Sequence, residues 1–157
     1  MAYYPKLTRQ WIPPGKPGTL VTLQVMARLA REAAQLPAVR QLAAQLGDPA
    51  GLDAFMRQYW RFVPDPLDAE YIRAPVNQLL EFSDKGYLQG DCDDAATLAA
   101  SILAALNWPA AIVAIRLPGF PEFSHVFVRT VNGDIDPIVP ASQLPIMNVA
   151  EKMEVYV

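Results

Sequence analysis

Gly90 divides the chain into two stretches of different periodicity, and that switch constrains the fold more than any single motif. Upstream, prolines cut the sequence into short helical segments. Thr19 is placed to cap a helix over 20–35, with Leu20, Leu23, Met26/Ala27 and Ala30 on one face. A second helix is expected from Pro37 to the terminal glycine Gly47. Asp48 caps a third, which starts at Pro49 and runs through about Phe62 before Pro64 and Pro66 end it. Pro75 opens a fourth, through Phe82. Downstream, Cys92–Leu106 is an alanine-rich helix with Ala95, Leu98, Ala99, Ile102, Leu103 and Leu106 able to face a core. Asn107 suits the left-handed closing position, and Pro109 prevents continuation. The period then falls to that of strands: Ala111–Leu117, Val126–Val131 and Asp134–Val139, with Lys152–Val157 as an edge strand. The loop Pro118–Phe123 joins the first two. Asn132-Gly133 is a hairpin signal between the next two.

Helices first, then one long helix followed by antiparallel strands, predict an α+β fold, with the central Cys92 helix packed on a small antiparallel sheet. At 157 residues with 52% apolar content, the chain suits one domain with a real core. A formal charge of −3 argues against binding nucleic acid through phosphate neutralisation. No apolar stretch is long enough for a membrane span, and the first residues do not read as a signal peptide. One cysteine makes no internal disulfide, which fits a reducing compartment, and with one histidine it leaves no cysteine-rich zinc site. No metal or cofactor is expected.

Cys92 lies in Gly90-Asp91-Cys92-Asp93-Asp94, at the first turn of the strongest helix. The helix dipole there favours a thiolate by about 0.3–1 kcal/mol, and three neighbouring carboxylates oppose it. Activation therefore needs a nearby cation. A lone cysteine is otherwise a small buried hydrophobe, although a glycine-flanked, carboxylate-rich helix start is a poor place for one. His125, the only imidazole, opens a strand; it is either a structural histidine or the base that takes the thiol proton. A third group usually orients such a base. Asp136 is the first candidate and Asp134 the second. A simple two-residue turn at Asn132-Gly133 would pair Asp136 with Arg129, roughly 13 Å from His125. A bulge, a strong twist or a wider loop is then needed to bring them together.

The segments Gly90-Asp91-Cys92-Asp93-Asp94, Leu106-Asn107-Trp108-Pro109, Ser124-His125-Val126-Phe127-Val128 and Asp134-Ile135-Asp136-Pro137 follow one another in an order that resembles the transglutaminase-like, papain-related superfamily. The aspartates around the cysteine are similar to the variant found in tailed bacteriophages and prophages, as are the Thr19–Ala33 segment and the stretch from Trp60 to Pro75. The resemblance implies a papain-like core and acyl-transfer chemistry of peptidase or amidase type on a protein or peptide substrate. Cys92 would be the nucleophile, His125 the base and Asp136 its orienter. The oxyanion would meet the Cys92 amide and one upstream donor, for which Asn77, Gln78 and Gln89 are candidates. It also implies residence in the host-cell cytoplasm or in a phage particle.

The alternative is a non-enzymatic virion or assembly protein with the same fold. Residues 1–18 carry four prolines with Tyr3, Tyr4, Trp11 and Ile12, and read as an extended arm able to pack back or fasten to another subunit, ahead of a domain over 19–157. The aspartates around Cys92 lack the other ligands of a calcium loop and read as helix caps. Trp60 and Trp108 read as core or interface anchors, and Arg57 and Arg61 as a solvated helix face.

Overall fold

The computed structural model describes residues 10–66, 70–140 and 149–157. Among the described residues, five helices and two sheets make up an α+β fold: α1 Lys16–Ala33, α2 Pro37–Leu46, α3 Pro49–Tyr59, β1 Trp60–Phe62, α4 Pro75–Lys85, β2 Leu88–Gly90, α5 Cys92–Ala105, β3 Ala110–Arg116, β4 His125–Thr130, β5 Gly133–Ile135 and β6 Glu151–Tyr156. The larger sheet is antiparallel in the order β5-β4-β3-β6, which leaves β6 on an edge as expected. The smaller pairs β1 with β2 in parallel.

Helix α5 is the axis of the molecule. Every residue from Asp93 to Leu103 is buried, because α1, α2, α3 and α4 pack on it from one side and β3 and β4 from the other. A helix enclosed all round needs small side chains, and its alanines allow those neighbours to approach closely. One core joins Leu23, Met26, Leu52 and Met56 to Leu98, Ile102 and Leu103, and reaches Ile112 and Val128 on the helix-facing side of the sheet. Ala111, Val113, Ile115 and Phe127 form a second cluster on the other sheet face, as the two-residue period requires. Trp60 and Trp108 pack partly buried against the main core, in keeping with an anchoring role.

Several elements depart from the expected boundaries. Helix α1 starts at Lys16, with Gly15 as its cap, so residues 16–18 are helical and the arm is shorter than residues 1–18; residues 1–9 lie outside the described residues. Pro17 falls in the first turn, where its missing N–H costs nothing. Thr19 is therefore not the cap; its hydroxyl donates back to the Gly15 carbonyl at 3.4 Å. Leu20 points outward, 39% exposed. Asp48 caps α3 as expected, accepting from the Gly51 amide at 2.8 Å, but α3 stops at Tyr59. Trp60-Arg61-Phe62 instead pairs with Leu88-Gln89-Gly90. Helix α4 continues past Phe82 to Lys85, where Gly86 closes it at φ 75°. Asn107 takes the left-handed position anticipated for it, φ 54°.

Candidate active site

The cysteine is set by what surrounds the start of α5. Asp91 is the cap, its carboxylate accepting from the amides of Asp93 at 3.1 Å and Asp94 at 3.4 Å. Strand β2 delivers the chain to this cap, and Gly90 is required there. A Cβ on Gly90 would stand 2.3 Å from Oδ2 of Asp94, and its φ of 150° disfavours any side chain. The Asp94 carboxylate accepts from the Arg73 amide at 2.8 Å. Gln78, buried beneath, donates to the carbonyls of Arg73 at 3.0 Å and Asp94 at 3.1 Å. The helix tip is thus bound to the chain ahead of α4.

Only Asp91 of the three aspartates fits the helix-cap reading. Asp93 and Asp94 are buried, 5% and 1% exposed. Burial pushes the Asp94 carboxyl up to about 7. It pushes Asp93 up as well, helped by a side-chain hydrogen bond with Glu70. Asp91 rises through burial and the nearby Asp65 charge. The half-buried Cys92 thiol is raised above its ordinary value, first by burial and then by the Asp93 and Asp91 charges, while a hydrogen bond from the Val126 backbone works the other way. The thiol itself points its proton at Oδ1 of Asp93, 3.7 Å away.

His125 opens β4, opposite Ile115 of β3. Its Nε2 lies 2.5 Å from Oδ2 of Asp136. The hairpin turns one residue earlier than Asn132-Gly133 suggested: Thr130 pairs with Gly133, Arg129 with Asp134 and Val128 with Ile135. Continuing that register sets Asp136 opposite Phe127, a diagonal neighbour of His125 on the same sheet face. Strand β5 ends before it, so the strand expected over 134–139 is cut short. Oδ1 of Asp136 accepts from the amides of Ile138 at 3.1 Å and Val139 at 3.2 Å, and this local turn replaces the ladder. The predicted first orienter therefore contacts the imidazole. Asp134, the second candidate, is bound instead by Arg129 at 2.8 and 2.9 Å.

Cys92 and His125 line one cleft of about 520 Å³, walled also by Ile12, Pro13 and Phe123. Its charged lining comprises Glu70, Asp91, Asp93, Glu122 and Glu151 against Lys16 and Arg116. Glu151 is paired with both of those cations. None of Asn77, Gln78 and Gln89 lines the cleft. Gln78 spends its amide on two carbonyls, and Gln89 gives its own to Glu81 at 2.8 Å. The proposed upstream donors are therefore corrected for these two: their side chains serve the fold. Among the described residues, no three His, Cys, Asp or Glu side chains converge as a metal site.

Known proteins supply no template for this arrangement: no family model, no curated protein sequence and no solved structure matches the chain. The site is therefore read from its own chemistry. Arg57 is the residue that sequence reasoning misjudged. Instead of facing solvent, it bonds both Asp53 oxygens at 3.1 and 3.0 Å and donates to the Val139 carbonyl at 3.0 Å. Arg61 belongs to β1, not to a helix, and stacks on the Tyr87 ring at 3.7 Å. The i,i+4 spacing from Asp53 to Arg57 was a readable signal; the Val139 contact, 82 residues along the chain, was not.

Proposed function

We propose that this chain is a cysteine-dependent hydrolase or acyltransferase of the transglutaminase-like type, with Cys92 as nucleophile, His125 as base and Asp136 as the group that orients it. The single observation carrying this reading is that His125, which lines the same cleft as Cys92, is hydrogen-bonded by the buried Asp136. A carboxylate only accepts, so Nε2 carries the ring proton and Nδ1 is left with a lone pair. An imidazole fixed in one tautomer by a buried acid is what a base acting through Nδ1 requires.

In the proposed reaction the Cys92 sulfur attacks an amide or ester carbonyl while its proton passes to Nδ1 of His125. The carbonyl oxygen becomes an oxyanion. Among the described residues, the Cys92 amide is the first-turn N–H left to meet it, because Asp91 binds those of Asp93 and Asp94 through its side chain and that of Ala95 through its carbonyl. Collapse expels the amine or alcohol, which takes the proton from His125 and leaves a thioester. Water or an amine then receives the acyl group. Because burial and carboxylates hold the sulfur as a thiol, His125 acts during the attack, not before it. The substrate is a protein or peptide, met in the host-cell cytoplasm or in a phage particle.

The same raised thiol favours a second reading, a virion or assembly protein that keeps the fold without turnover. One experiment separates the two. The protein is incubated with p-nitrophenyl acetate and its mass followed. The enzyme reading expects acetylation at Cys92, abolished in Cys92→Ser and slowed about 100-fold or more in His125→Ala. An intact protein that takes up no acyl group, and whose sulfur reacts slowly with iodoacetamide up to pH 9 whether or not His125 is present, is the structural protein.

A further inference from the structure

We infer that Arg57 is a positioning residue for His125, acting through the turn that holds Asp136; the inference rests on the catalytic reading above. A connected set of bonds carries it. Asp53, one helical turn earlier on α3, grips the Arg57 Nε with both carboxylate oxygens. The guanidinium, so aimed, donates from a terminal nitrogen to the Val139 carbonyl at 3.0 Å. The Val139 amide, in the same residue, donates to Oδ1 of Asp136 at 3.2 Å, and Oδ2 of Asp136 meets Nε2 of His125. Fixing Val139 at both its N–H and its C=O fixes the rotation of the Asp136 carboxylate. The carboxylate in turn decides which face and which tautomer the imidazole presents.

The need for such a brace follows from where Asp136 sits. Strand β5 ends at Ile135, so no ladder bond holds residues 136–140. The Asp136 side chain is fully buried, and its turn hangs from a three-residue strand. Arg57 ties that turn to α3, a helix packed on the central α5. A guanidinium suits the task because its planar fork serves a carboxylate and a carbonyl together in fixed geometry, which an ammonium cannot do.

The chain's single histidine makes the test direct. In ¹⁵N-labelled protein at neutral pH, the two ring nitrogens of His125 are expected to differ widely in shift, as for a locked Nε2–H tautomer. In Arg57→Met those shifts are expected to approach each other as the tautomers mix. Acyl transfer to p-nitrophenyl acetate is expected to fall about 10- to 100-fold in kcat with KM little changed. Arg57→Lys restores less than half of the lost rate. If Arg57→Met does not fold, Asp53→Asn loosens the same guanidinium without removing it and is expected to move the ring shifts in the same direction. A variant that merely melts earlier while the His125 spectrum stays as in the parent chain overturns the inference. A spectral change in a protein that never transfers an acyl group leaves Arg57 in its positioning role and removes the catalytic reading instead.

Discussion

The two banks of the cleft bury aspartates in opposite ways. On the strand bank, Asp136 is 1% exposed and supplied with two backbone amides and an imidazole. On the helix bank, Asp93 and Asp94 are as deeply buried, yet their neighbours include Asp91 and Glu70, and burial drives both carboxyls upward. A buried carboxylate persists as an anion only where donors replace the lost water. The strand bank provides its buried acid with donors beside His125. On the helix bank burial raises the carboxyls, and burial is also the first cause that raises the Cys92 thiol.

The largest effect that can break this contrast is on the strand bank. Asp136→Asn keeps the shape and lets an amide N–H face Nε2, so acyl transfer is expected to drop about 10³-fold. A rate within threefold of the parent would reduce Asp136 to a turn-forming residue. On the helix bank the expected signature is in stability. Asp94 has its ordinary value of 3.8 raised to about 7, so the folded protein binds that proton more tightly than the unfolded chain. The resulting stabilisation is complete below about pH 4 and lost as the pH rises through about 7. Urea unfolding should show stability declining over that window by up to about 4 kcal/mol, at 1.36 kcal/mol per pH unit. Asp94→Asn should flatten the decline. Stability that stays level across the same window would mean that Asp94 ionises as readily in the folded protein as in the unfolded chain.

A smaller effect tests the packing that crowds these groups. Gly90→Ala adds a methyl 2.3 Å from the Asp94 carboxylate at an unfavourable φ, and is expected to cost about 1–3 kcal/mol in thermal unfolding. The smallest effect sharpens the charge difference at the thiol itself. Among the described residues, Glu70, Asp91, Asp93, Glu122 and Glu151 line the cleft, and the cations Lys16 and Arg116 there are paired with Glu151. A cationic methanethiosulfonate should label Cys92 about 10-fold faster than an anionic one of the same size, with the ratio shrinking as salt is added. Equal rates would show that the cleft is electrically neutral to an incoming reagent.

Much of this was legible beforehand where one element decides the outcome. The alanine-rich helix from Cys92, the caps at Asp48 and Asn107 and the strand opening at His125 are local patterns, and the structure contains them. What escaped depends on distant partners. Trp60–Phe62 reads as the end of a helix until Leu88–Gly90 comes alongside to pair with it. The hairpin slipped by one residue because the Thr130 hydroxyl donates to the Gly133 carbonyl at 3.0 Å and accepts from the Asn132 amide at 3.1 Å, drawing the turn back to Val131-Asn132. That slip brings Asp136 close to His125, and only the hydroxyl contacts reveal it. Asp93 and Asp94 look like solvated first-turn acids, because nothing local says that Gly90, Arg73 and Glu70 will close over them.

Helix α3 touches both halves of this arrangement by different means. Its last residue runs straight into β1, whose pairing leads β2 into the sulfur, while its side chain Arg57 reaches the turn that governs the ring. The helix is thereby attached both to the segment that leads to Cys92 and to the turn that holds Asp136. Inserting one residue between Arg57 and Tyr59 would turn one attachment by about 100° relative to the other. Both attachments would survive such a change, but they would no longer be in step.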